Sequence, residues 1–95
     1  MESKLQTEIV KWLKINDCYV IKTRPGAGTP VGCPDIIALC RQKWLAIEVK
    51  ADEHAKFQPG QKTTLQHLKS GNTFVYVANP DNWPAIKAEI IADFL

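Results

Sequence analysis

Ninety-five residues with a formal net charge of +2 make one domain, residues 1–95, with a small core. Charged residues at 23% and aromatics at 8% are ordinary for a globular chain, and the pI near 8.5 does not by itself name a nucleic-acid partner. No apolar run reaches the roughly 18 residues of a membrane span, and "MESKLQTEIVKWLK" has no signal-peptide core, so a cytoplasmic protein is expected.

The chain opens on a capping box, Ser3 to Gln6, ahead of a helical stripe of Leu5, Ile9, Trp12 and Leu13. Glu8 lies at the margin of that stripe; helical spacing leaves open whether it leans toward the core or is a solvated acid beside Lys4 or Lys11. Asn16-Asp17 stops the helix, and the β-branched and aromatic run Cys18 to Arg24 predicts a strand. Residues 25–34, "PGAGTPVGCP", form a loop. No G-K-[ST] follows these glycines and Pro34 leads into a strand, which excludes a phosphate loop. A loop containing Gly28, with Lys22 and Arg24 nearby, suits contact with DNA phosphates.

Two short apolar runs, Asp35 to Cys40 and Lys43 to Lys50, predict a hairpin. With a two-residue turn at Arg41 and Gln42, Cys40 meets Lys43, Leu39 meets Trp44, Ile37 meets Ala46, and Asp35 falls opposite Glu48. Side chains alternate, so Asp35, Ile37, Leu39, Trp44, Ala46, Glu48 and Lys50 share one face. Two carboxylates held about 5 Å apart repel unless one takes a proton or a cation lies between them. A cross-strand salt bridge would account for Lys50 and one acid, but not for the second acid. A magnesium ion, which needs only one or two carboxylates, fits, and the Val49 carbonyl lies between Glu48 and Lys50 to add an oxygen.

Pro59 suits the first turn of a second helix with Leu65 and Leu68 on its buried face and Ser70-Gly71 at its end. Gln61 leans inward four residues before Leu65, either toward a site or as an ordinary first-turn residue. "TFVYVA", Thr73 to Ala78, is the last strand, and Trp83, Ile86, Ile90 and Phe94 line one side of the last helix. Trp83 and Phe94 suit either the core or a surface between two copies. Cys18, Cys33 and Cys40 include no CxxC, and with His54 and His67 they match no metal-site spacing, so buried free thiols are expected.

"GCPD", twelve residues, then "EVK" resembles the PD…(D/E)xK signature of restriction-endonuclease-like nucleases. An acid in the first helix, G-x-P-D, E-V-K and then "FQPGQ" resemble the virus-type replication-repair nuclease (VRR-NUC) family over nearly the whole chain. Gln58 stands where that pattern usually has a Ser or Thr helix cap. The resemblance implies an α/β restriction-endonuclease-like fold, order α-β-β-β-α-β-α, with a mixed central sheet flanked by helices. It implies that Asp35 and Glu48, with the Val49 carbonyl, bind Mg²⁺ or Mn²⁺ and that Glu8 completes the acidic cluster. Lys50 would orient the attacking water or stabilise phosphate charge, and Gln61 would position water or substrate. The implied activity is hydrolysis of DNA phosphodiesters by a homodimer acting on branched DNA such as four-way junctions. A non-catalytic DNA-binding module would not need both acids and Lys50, and a hydrolase of small phosphoesters would need a lid that so short a chain lacks.

Overall fold

The turn at Arg41 and Gln42 sets the register of the sheet. Both residues take positive φ, 51° and 72°, the two-residue turn whose twist matches that of its flanking strands. It joins β2 (Ile36–Cys40) to β3 (Lys43–Val49), and the pairs are those expected: Cys40 with Lys43, Leu39 with Trp44, Ile37 with Ala46.

This is a computed structural model that describes residues 2–24, 26 and 28–95. The side chains of Glu2 and Ser3 also lie outside the described residues, and with them the expected Ser3 cap. The order is α1 (Glu2–Ile15), β1 (Tyr19–Lys22), β2, β3, α2 (Gln61–Ser70), β4 (Phe74–Ala78) and α3 (Trp83–Phe94). The strands lie side by side as β1-β2-β3-β4; β3 and β4 are parallel and the other pairs antiparallel, so the fold is α/β with a mixed sheet. The parallel pair needs a crossover, and α2 supplies it.

One face of the sheet is the floor of the core. Ile36, Ala38, Cys40, Leu45, Ile47 and Val49 are buried there with Leu5, Ile9 and Leu13 of α1 and Trp83, Ile86, Ile90 and Phe94 of α3. Trp12 meets Trp83 edge to face at 5.5 Å, as aromatic quadrupoles favour. Trp83 and Phe94 therefore belong to the core and not to a surface between copies. No described helix is long and apolar enough to cross a membrane.

Three expectations need correction. Cys18 and Cys40 are joined by a disulfide with Cα atoms 4.7 Å apart; only Cys33 is free. The register explains the bridge: Tyr19 pairs with Leu39, so Cys18 stands opposite Cys40 on the neighbouring strand. Such bridges are rare in a reducing cytosol, so this one pulls against the expected cytoplasmic location. β1 ends at Lys22, two residues short of the expected Arg24, although the ladder continues one pair further, Thr23 N–H donating to the Asp35 carbonyl at 2.9 Å. Pro59 precedes α2 instead of opening it; the helix begins at Gln61 behind Gly60, whose φ is 84°.

The candidate carboxylate cleft

Asp35 stands one residue before β2, and the hairpin register, continued by one step, sets it opposite Glu48. Glu48 is buried on the sheet face away from the main core, and Asp35 is half-buried. The pair lines a cleft of about 710 Å³ between the loop after β1 and the start of α2.

Each oxygen has its own surroundings. Asp35 Oδ2 accepts the Val49 N–H at 2.8 Å. Glu48 Oε2 accepts Gln61 Nε2 at 2.5 Å and pairs with Lys50 Nζ at 3.1 Å. Glu48 Oε1 is buried and has no hydrogen-bond partner. A buried carboxylate oxygen without a partner is costly unless a proton, a water or a cation satisfies it.

The Val49 carbonyl is the next oxygen. Lys50 gives its N–H to Ala78 of β4 at 2.8 Å, so Val49, one residue earlier, turns its N–H and carbonyl toward β2. In the continued register that carbonyl faces Pro34, which has no N–H to donate. Two carboxylates and a carbonyl match the ligand set of a magnesium ion that keeps its remaining waters.

Lys50 and Gln61 are locked together. Lys50 Nζ donates to Gln61 Oε1 at 2.9 Å and to the Lys56 carbonyl at 3.2 Å, and lies 4.8 Å from the centre of the Phe57 ring. Gln61 Oε1 also accepts the Gln58 N–H at 2.8 Å, which fixes the entry to α2 without a side-chain cap at Gly60. Sequence spacing put Gln61 inward, and it is buried at the end of the cleft.

Burial pushes the Glu48 carboxyl above its ordinary value of 4.5, and the charge on Asp35 adds to that push; the Lys50 hydrogen bond opposes it without cancelling it. A carboxyl raised in the folded state stabilises the fold fully below its unfolded value, and the contribution fades as pH rises through the folded value. Without divalent metal, the wild type is therefore expected to lose stability as pH rises above about 4.5. Glu48→Gln, uncharged throughout, is expected to flatten that slope in thermal melts. Parallel profiles for the two proteins would exclude Glu48 as the titrating group.

Glu8 is not part of this cleft. It is exposed and lines a separate hollow with Lys4, Leu5, Pro80, Trp83 and Pro84. Among the described residues no three His, Cys, Asp or Glu side chains gather around one point, so the cleft holds two acids and not three. Lys22 and Arg24 are exposed on either side of Thr23, which does line the cleft. Gly28 is exposed on the loop with φ 91° and does not line it.

Three residues of the cleft escaped the sequence reading. Thr23 Oγ1 donates to the Pro34 carbonyl at 2.6 Å and lies 3.2 Å from the Asp35 carbonyl, so it pins the chain that carries Asp35. Cys33 lines the same cleft; burial raises its thiol pKa, which keeps it a neutral thiol and a poor ligand. Gly32, at φ 82°, is where the loop touches α2. A Cβ there would stand 2.5 Å from the Gly60 carbonyl oxygen. Gly32→Ala is therefore expected to cost about 2–4 kcal/mol and to displace the loop from the carboxylates. An unchanged melting temperature would refute the close contact.

Neither family models nor curated proteins nor solved structures give a match to this chain.

Proposed function

We propose that the chain is a metal-dependent endonuclease of the restriction-endonuclease-like kind, similar to the VRR-NUC family, that hydrolyses DNA phosphodiester bonds. The observation that carries the reading is the unpartnered, buried Glu48 Oε1 with Asp35 opposite it in the hairpin register. A buried Glu48 opposite a half-buried Asp35 is poorly explained as scaffolding, because apolar residues of similar volume would serve the fold as well.

Asp35, Glu48 and the Val49 carbonyl are the groups to hold Mg²⁺ or Mn²⁺. Such an ion neutralises the phosphodiester and makes water a better nucleophile at neutral pH. Lys50, fixed by three oxygens and the Phe57 face, sets a cation where negative charge grows on the reacting phosphate. Gln61 holds Lys50 and Glu48 in place, which makes it a positioning residue. Lys22 and Arg24 supply rim charge for the DNA backbone.

Branched DNA and a homodimer complete the proposal. The sheet's outer face supports the second copy. Tyr19, Leu39 and Trp44 form one apolar row across three strands, and Ile21, Ile37 and Ala46 form the next. Tyr19 is 66% exposed and Trp44 42%. Trp44→Glu is expected to leave the fold unchanged and to reduce the solution mass from two chains to one. A monomeric wild type would sink the dimer and leave the nuclease chemistry standing.

The rival reading is a non-catalytic DNA-binding module. One observation favours it: Lys50 and Gln61 already satisfy each other and Glu48 Oε2. Incubation with Mg²⁺ and labelled linear, nicked, flap and four-way-junction DNA decides between them. Cleavage of the junction supports the nuclease; clean binding without any cleavage supports the module. Cleavage of a small phosphodiester alone points to a small-phosphoester hydrolase.

A further inference from the structure

The cleft does not end at the carboxylates. It shares Ala55, Lys56 and Gln58 with a neighbouring hollow of about 540 Å³. That hollow shares Lys62 and Thr63 with a third, of about 480 Å³, which reaches Ser70. The three make one groove that leaves Asp35 and Glu48 and follows the outer side of α2.

Charge along this groove is one-sided. Beyond Asp35 and Glu48, no carboxylate is among its described lining residues. The ten residues of α2 contain no Asp or Glu, while Lys62, His67 and Lys69 are present. Helix α1 mixes Glu8 with Lys4, Lys11 and Lys14, and α3 mixes Glu89 and Asp93 with Lys87, as solvated helix faces do. Two acids stand at its rim, on the groove-lining His54. Asp52 accepts the His54 N–H at 2.8 Å and Glu53 pairs with the His54 ring at 3.2 Å, so His54 is not counted among the groove's cations.

Phe57 joins the two parts. Lys50 of the cleft lies 4.8 Å from its ring centre and Lys62 of the groove 5.6 Å. One half-buried ring thus aligns the cation beside the carboxylates with the first cation outside them.

We propose that the outer side of α2 is a strand-tracking subsite, which holds the phosphates of the DNA strand that leaves the cleft. Lys56 and Lys62 supply the charge, and Thr63, Gln66 and Ser70 supply hydrogen-bonding groups. The inference rests on the nuclease reading and adds where its substrate runs. Ten helical residues extend about 15 Å, the length of about four phosphate steps along one strand of a duplex. Phosphate contacts fix register without reading bases, so the subsite positions DNA independently of its sequence.

Lys62→Glu, Lys62→Ala and, as a control on α1, Lys11→Glu test it. Binding of labelled four-way-junction DNA is followed by fluorescence anisotropy over a range of salt with Ca²⁺ in place of Mg²⁺, and single-turnover cleavage is measured in Mg²⁺. Lys62→Glu is expected to weaken binding about tenfold and to lower the slope of log affinity against log salt by about one. Lys62→Ala is expected to lose about threefold, and Lys11→Glu to match the wild type. Cleavage at saturating enzyme is expected to stay within about twofold of the wild type for Lys11→Glu, which lies on α1 away from the groove. If the wild type cleaves DNA but Lys62→Glu binds with unchanged affinity and slope, the subsite is refuted and the nuclease reading stands. If the wild type neither binds nor cleaves DNA, both fall.

Discussion

Asp35→Asn is expected to lower Mg²⁺-dependent DNA cleavage by about 10³-fold while the protein folds as before. Asparagine keeps a side-chain oxygen for the Val49 N–H that Asp35 Oδ2 now accepts, so the hydrogen bond survives and the charge does not. Alanine is the harsher test, because it strands that N–H at a cost of about 1–3 kcal/mol. The charge matters more than the contact. Glu48 Oε2 is already engaged by Gln61 and Lys50, so without Asp35 a divalent ion would keep one carboxylate oxygen, Oε1, and the Val49 carbonyl. The loss of a negative neighbour also relieves Glu48, so the Asn variant is expected to melt at or above the wild-type temperature in metal-free buffer. Cleavage at the wild-type rate by Asp35→Asn would remove Asp35 from the mechanism.

The second large effect concerns the fold. Reduction of the Cys18–Cys40 bridge, or its replacement by Cys18→Ala with Cys40→Ala, is expected to cost about 3 kcal/mol, since the two cysteines are 22 residues apart. For a chain of this length that lowers the melting temperature by about 12–25 °C. β1 has four residues, most of them exposed, and lies at the sheet edge, paired with a strand on one side alone. The consequence reaches the cleft. The far end of β1 leads to Thr23, whose N–H and hydroxyl hold the chain at Pro34 and Asp35. Metal affinity is therefore expected to fall with stability. Cys33→Ser, which removes the free thiol, is the control and is expected to melt within about 1 kcal/mol of the wild type. Equal melting temperatures with and without reductant would show that the bridge contributes nothing.

Much of the layout was readable because it depends on local pattern. The β2–β3 register followed from the turn and from alternating side chains, and the opposition of Asp35 and Glu48 came with it. The buried faces of α1 and α3 followed from helical spacing, apart from Trp12, which is only half-buried. The inward lean of Gln61 followed from its place one turn before Leu65, but that spacing suits an ordinary first-turn residue equally, so its contacts with Lys50 and Glu48 did not follow.

The disulfide was not readable for a physical reason. It depends on the β1–β2 register, and those strands are joined by the long stretch from Thr23 to Asp35, which no tight turn fixes. Glu8 sat at the margin of an apolar stripe, where spacing cannot say which way a side chain leans. The helix turns it toward Pro80 and Trp83 and toward solvent. Thr23 and Gly32 act through contacts with residues distant in sequence, Asp35 and Gly60, so no local pattern announces them.

The most direct measurement is a crystal soaked in Mn²⁺, with anomalous scattering used to find the ion. A peak bonded to Glu48 Oε1 and Asp35, with the Val49 carbonyl in reach, is the expected result. Glu48 and Asp35 oxygens turned away from each other with no peak between them, in a crystal that takes up Mn²⁺ elsewhere, would contradict the account.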